Sequence, residues 1–224
     1  RPIRVGAGRN ETTPSYHYKG QMGEVILFDE VLTDVEVIIV QNYLAAKYNY
    51  TLASNDLYSN DQSGSGNYDH KVAGIGKASD GSSHSDSKGT GIVQINSPLS
   101  LNNGDYLFWG ENQINSDYSF STASDYKERA NTQWRVNHIQ DVGTVSLSVN
   151  ASDLDLSDKQ SCAPVNLIVS VSSNFSSKTT YPLTLTDGVY STDGVTLPNG
   201  YYFTFEYQDL IVIENSGFTG GSGA

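Results

Sequence analysis

The chain has 224 residues and carries 13 Lys+Arg against 25 Asp+Glu, a formal charge of −12. That balance lacks the basic footprint of a nucleic-acid binder. No run approaches the roughly 20 apolar residues of a membrane helix. The single cysteine, Cys162, excludes a disulfide framework or a Cys-based zinc site.

At 37% hydrophobic residues the chain can build a packed core, and its length suits one or two domains. Only 17% is charged, while Gly numbers 21 and Tyr 15, which favours a β-rich fold with polar turns over a helical bundle. The start, Arg1-Pro2-Ile3-Arg4, shows neither Met nor a signal peptide, so it reads as an internal or processed piece of something larger. Ile3 to Gly8 reads as a strand entering a loop. Glu24–Phe28, a nearly continuous apolar run, reads as a buried strand.

Thr33 followed by Glu36 is a capping-box spacing, and it predicts a helix over 34–47. Helical geometry puts Val40, Tyr43 and Leu44 on one face, with Ile38 almost opposite. A helix apolar on both sides is expected to be covered on both sides, by the following domain or, in the competing reading, by a partner.

Asn55–Asp69 and Lys77–Gly89 are polar loops on either side of a strand at His70–Gly76. Further strands are expected at 91–95, 106–110, 132–138, 144–149, 166–171, 182–185, 200–207 and 210–214. Short strands with turn signals between them point to an antiparallel sandwich over 52–214. Trp109, Trp134 and Phe203 are expected in its core. The competing reading makes the two tryptophans sugar-stacking platforms. The last residues, 215–224, have linker composition.

Two stretches are similar to known families. Met22 to Glu36, with Tyr43-Leu44-Ala45-Ala46-Lys47-Tyr48, resembles the closing segment of concanavalin A-like (laminin-G-like) lectin/glucanase sandwiches of large secreted bacterial proteins. The likeness covers about residues 1–51 and departs from that pattern at Val37, Ile38 and Ile39, where polar residues are usual. It implies a partial sandwich whose missing strands come from upstream residues of the same protein or from another chain.

The order Ala73-Gly74-Ile75-Gly76, Tyr106–Gly110, Gln133–Val136, Tyr181–Leu185 and Gly200–Phe205 resembles an uncharacterised β-rich module of giant surface proteins of Gram-negative bacteria. The composition, acidic and rich in Tyr, Ser, Asn and Thr, is similar to that of bacterial outer-surface proteins. The expected class is therefore mainly β: a partial laminin-G-like sandwich with one capped helix, then an antiparallel β-sandwich.

Catalytic patterns are not legible. Glu24 and Asp29 fall on opposite strand faces, which does not suit paired-carboxylate glycoside hydrolysis. Gly74–Ser79 lacks the spacing and the hydroxyl of a phosphate loop. Cys162 has no His nearby in sequence to activate it.

Calcium is the one cofactor with support. Asp56, Asp61 and Asp69 share one loop, Asp80 and Asp86 the next, and Asp153, Asp155 and Asp158 form a third cluster. The expectation is a non-enzymatic adhesin or spacer segment of an extracellular or bacterial cell-surface protein. The alternatives are a carbohydrate-binding module, with or without Ca2+, and an accessory domain of a polysaccharide-degrading enzyme.

Overall fold

The computed structural model describes residues 5–6, 17–113, 115–124, 126–159 and 163–208. The chain divides into two units, one ending at Val31 and the other starting at Leu32. The sequence boundary at 51/52 put the helix in the first unit; here it belongs to the second.

The described part of the first unit carries no strand. Glu24–Phe28, expected as a buried strand, is irregular, and Val25, Leu27 and Phe28 are about half exposed. A strand exists only when a neighbour takes up its backbone donors and acceptors. Neither described sheet includes residues 24–28 as a strand. Residues 3, 4, 7 and 8 of the expected first strand lie outside the described residues, as do 210–214, the linker 215–224 and Cys162.

Among the described residues, the second unit begins with helix α1 (Asp34–Tyr48) and continues through fourteen strands. They are β1 (His70–Lys77), β2 (Ser83–His84), β3 (Asp86–Ser87), β4 (Gln94–Asn96), β5 (Tyr106–Glu111), β6 (Phe120–Ser124) and β7 (Lys127–Ala130). After them come β8 (Trp134–Ile139), β9 (Val145–Asn150), β10 (Val165–Ser170), β11 (Thr179–Pro182), β12 (Thr184–Thr186), β13 (Val189–Val195) and β14 (Tyr202–Gln208).

All pairings are antiparallel. The large sheet runs β11-β10-β14-β8-β5-β1-β2, with hairpin β6–β7 attached through β7 to β14. The small sheet runs β12-β13-β9-β4-β3. The fold is mainly β, as the composition led one to expect.

Strand alternation decides which side chains meet. Ile75, Leu107, Trp109, Trp134, Val136, Leu167, Phe203 and Phe205 leave the large sheet inward and pack with Ile95, Leu147 and Val149 of the small sheet. Trp134 stacks on Phe203 at 5.5 Å and meets Phe205 edge-on at 5.6 Å. Both tryptophans are 1% exposed, so they are core and offer no sugar platform.

The outer face of the large sheet is covered too. Val35, Ile39 and Ala46 of α1 pack there with Val72, Tyr106 and Phe108. Gly74 and Gly76 stand directly opposite Phe108 and Tyr106, and a Cβ at either glycine would collide with the facing ring. The Gly-Ile-Gly segment is therefore an aromatic seat, in which two rings 5.9 Å apart lie stacked at 9°. The helix buries Val35, Ile39, Asn42 and Ala46, whereas the expected face of Val40, Tyr43 and Leu44 is only partly buried. The difference comes from Asn42, a polar residue that periodicity assigns to solvent and that tertiary hydrogen bonds take inside.

Candidate functional site

A recess among the described residues lies where β8 ends and the β13–β14 connection passes. It is a cleft of about 550 Å3 lined by His138, Gln140, Asp141, Gly143, Thr196 and Leu197–Asn199. Local chemistry shapes both walls. Gln140 (φ 60°) and Gly143 (φ 72°) occupy left-handed conformations, and Asp141 Oδ1 accepts the Gly143 amide at 2.8 Å, closing an Asx turn. On the other wall, the Tyr201 amide donates to the Pro198 carbonyl at 3.1 Å. Gly200 (φ 79°) lets that turn rejoin Val136 through a 2.9 Å bond.

His138 ties the walls together. Its backbone amide donates to Asn199 Oδ1 at 3.0 Å, and its Nδ1 lies 3.1 Å from the Gln140 carbonyl. A carbonyl partner requires the proton on Nδ1, leaving Nε2 as a lone-pair acceptor on the neutral ring. Nε2 is buried and has no hydrogen-bond partner among the described residues. Burial pushes the imidazole below its ordinary value of 6.5, against the opposing pull of the Gln140 carbonyl, Asp141 and the Leu197 carbonyl. The Leu197 carbonyl therefore lies near the ring without completing a bond. The cleft offers an apolar floor at Leu197 and Pro198 and the polar side chains of Asn199 and Asp141, with His138 Nε2 buried behind them.

Of the aspartates named for calcium, the five of the first two loops separate into three places. Asp56, Asp61 and Asp69 share the loop preceding β1. Burial pushes the Asp61 carboxyl above its ordinary value of 3.8, and the charges of Asp56 and Asp69 push it the same way. Asp61 Oδ1 and Asp69 Oδ1 are buried without hydrogen-bond partners, although His70 Nε2 stands 3.2 Å from Asp69 Oδ1. Asp80 instead accepts the Ser82 amide and hydroxyl at 2.9 and 2.7 Å, which makes it a turn residue. Asp86 accepts Gln94 Nε2 across β3 and β4 at 2.7 Å. No three His, Cys, Asp or Glu side chains stand in metal-binding geometry among the described residues.

Asp153 and Asp155 of the third acidic cluster line one wall of a shallow groove, facing Ser116–Ser119. Asp153 is occupied by Lys88 (3.2 Å) and Asn150 (3.0 Å), and Asp155 by the Ser157 hydroxyl at 2.9 Å.

The family model described as a domain of unknown function (DUF8202) matches residues 36–201, more than half of the chain. The chain belongs to the DUF8202 family. No curated protein and no solved structure matches it. The DUF8202 match contains most of α1, all of the His138 cleft and the Asp61 loop, and it begins inside the helix rather than after it. The DUF8202 unit therefore takes in the element that the sequence boundary at 51/52 set apart.

Nothing in the sequence marked His138 or Asn199. A lone histidine at a strand end and an asparagine in a Pro-Asn-Gly turn are ordinary residues there, and only the fold places them across one cleft.

Proposed function

We propose that this chain is a non-enzymatic module of a large secreted or cell-surface bacterial protein, acting as an adhesin segment or structural spacer. The observation that carries this reading is a large sheet covered on both faces beneath an acidic surface rich in hydroxyls and amides. Such a body is stiff and soluble, and its net charge of −12 repels it from anionic surfaces. The likeness of residues 22–48 to laminin-G-like closing segments, and of the five β motifs to a module of giant surface proteins, supports the same reading. Under it, upstream residues or another chain complete the first unit. The test is surface labelling: antibody raised against the module should decorate intact producing cells or their culture fluid. Signal found only after lysis overturns it.

A second reading, carbohydrate binding, is favoured by the His138 cleft. An apolar floor at Leu197 and Pro198 flanked by Asn199 and Asp141 pairs a surface for sugar C–H faces with polar groups for sugar hydroxyls. A glycan array with the wild-type chain, His138→Ala and Asn199→Ala tests it. Saturable binding lost in both variants supports the cleft, and its absence overturns this reading. Calcium belongs to the same reading, through Asp56, Asp61 and Asp69.

A further inference from the structure

We propose that Lys178 and Asn166 join in an intramolecular amide bond, with Glu206 carrying the proton. Asn166 on β10 and Glu206 on β14 are directly opposed Cα partners. Opposed residues project to the same side of the sheet, with Cβ atoms roughly 4.5–5.5 Å apart. Their neighbours Leu167 and Phe205 point into the core, so this pair lies on the outer face.

That part of the outer face is shielded from water. Ile168 and Thr204 are fully buried, Glu206 is 2% exposed and Asn166 7%. The segment between β10 and β11 closes over it. Arg129 donates to the Asn174 carbonyl at 2.9 Å and lies 4.9 Å from the Phe175 ring centre, and Ser170 donates to the Ser177 carbonyl at 2.7 Å.

Into this site come two amines. Lys178 Nζ donates directly to Glu206 Oε2, and Lys127 Nζ stands 3.5 Å from Oε1. One carboxylate neutralises only one of them. Lys178 is the nucleophile because it is in hydrogen-bond contact with the carboxylate and is the less exposed of the two, at 25% against 35%.

The step balances without an oxidant or reductant. The uncharged Lys178 Nζ adds to Asn166 Cγ, and the Cγ–Nδ2 bond breaks. Glu206 accepts a proton from the attacking nitrogen and delivers it to the departing one, which leaves as ammonia. Glu206 ends as it began. Holding the two groups together in a desolvated pocket replaces a bimolecular encounter by an intramolecular one. The product ties the start of β11 to β10 and pins the 171–178 segment over the sheet.

Intact mass measured on the full chain under denaturing conditions tests this directly. The expected mass is lower than that of the sequence by one ammonia, and digestion yields a branched peptide joining the segments around residues 166 and 178. Lys178→Arg and Glu206→Gln, shown to be folded by circular dichroism, should each restore the full mass. An unmodified mass for the folded wild-type chain overturns the proposal, and that measurement requires no variant. So does an ammonia loss that survives Lys178→Arg, is abolished only by Lys127→Arg, or maps to the Asn-Gly pairs Asn103-Gly104 or Asn199-Gly200, where a cyclic imide would account for it.

Discussion

Asn42 shows how much one side chain can decide. It is 1% exposed and makes four hydrogen bonds. Its Nδ2 donates to the Ile38 and Asn55 carbonyls, both at 2.8 Å, and its Oδ1 accepts the Leu57 and Tyr58 amides at 2.8 and 2.9 Å. The helix thereby holds the loop that leads to β1. Asn42→Ala leaves the buried Tyr58 amide and the part-buried Leu57 amide and Asn55 carbonyl without this partner, and each such group costs about 1–3 kcal/mol. Urea denaturation should show a loss of at least about 3 kcal/mol, larger than for a typical exposed substitution.

Asp61 is the opposite case, a side chain the fold tolerates at a cost. Its carboxyl is raised by burial and by the charges of Asp56 and Asp69. A raised carboxyl contributes stability that is present below its ordinary value of 3.8 and is lost as pH rises through the folded value. Asp61→Asn should therefore raise Tm at pH 7, and the gain should vanish in acid. If the loop binds calcium, added Ca2+ raises the Tm of the wild-type chain but not of Asp61→Asn. Thermal scans with and without Ca2+ separate the two effects.

At the scale of elements, α1 is the best-defined local structure. The Glu36 carboxylate accepts the Thr33 amide at 2.8 Å and the Thr33 hydroxyl at 2.7 Å, and the return bond from the Glu36 amide to Thr33 Oγ1 is the weaker half of the capping box. Those Thr33 bonds, with help from His84 at 3.6 Å, hold the Glu36 carboxyl below its ordinary 4.5. Thr33→Ala should cost about 1 kcal/mol at neutral pH. A depressed carboxyl contributes stability above its unfolded value and loses it as pH falls through the folded one. The difference in Tm between Thr33→Ala and the wild-type chain should therefore shrink below about pH 4, in the range where free carboxylates titrate. At the other end, Asn49 (φ 52°) stops the helix in a left-handed conformation, and the Asn49 and Tyr50 amides cap the Ala46 and Ala45 carbonyls.

Across the whole second unit, the helix matters because it covers the sheet. Val35 and Ile39 are among the side chains that roof Tyr106 and Phe108. A chain beginning at Leu32 keeps every described helix and strand of the second unit and should still unfold in one cooperative transition. A chain beginning at Leu52 exposes the stacked rings and loses two large buried side chains. At about 1.5–3 kcal/mol each, that is about 3–6 kcal/mol. Comparative denaturation with a fluorescent probe of exposed apolar surface measures both outcomes.

The sequence by itself determined the fold class, the capped helix and most strands of the second unit. Those features are local or periodic: a Thr-x-x-Glu spacing, alternation along 70–77 and 202–208, aromatic residues dense enough to demand burial. It overlooked the β6–β7 hairpin and β13, because Phe120–Ser124, Lys127–Ala130 and Val189–Val195 are polar on the exposed side and carry little apolar alternation. It overstated Glu24–Phe28, because hydrophobicity signals a need for cover without saying what supplies it.

Only tertiary structure decided the rest. It gave α1 to the second unit, turned the helix so that Asn42 faces inward, and sent the five aspartates to three places. It also brought His138 and Asn199, 61 residues apart in the chain, onto one cleft. Juxtapositions of this kind arise from strand order, which follows from the sum of many weak contacts and leaves no local mark in the chain.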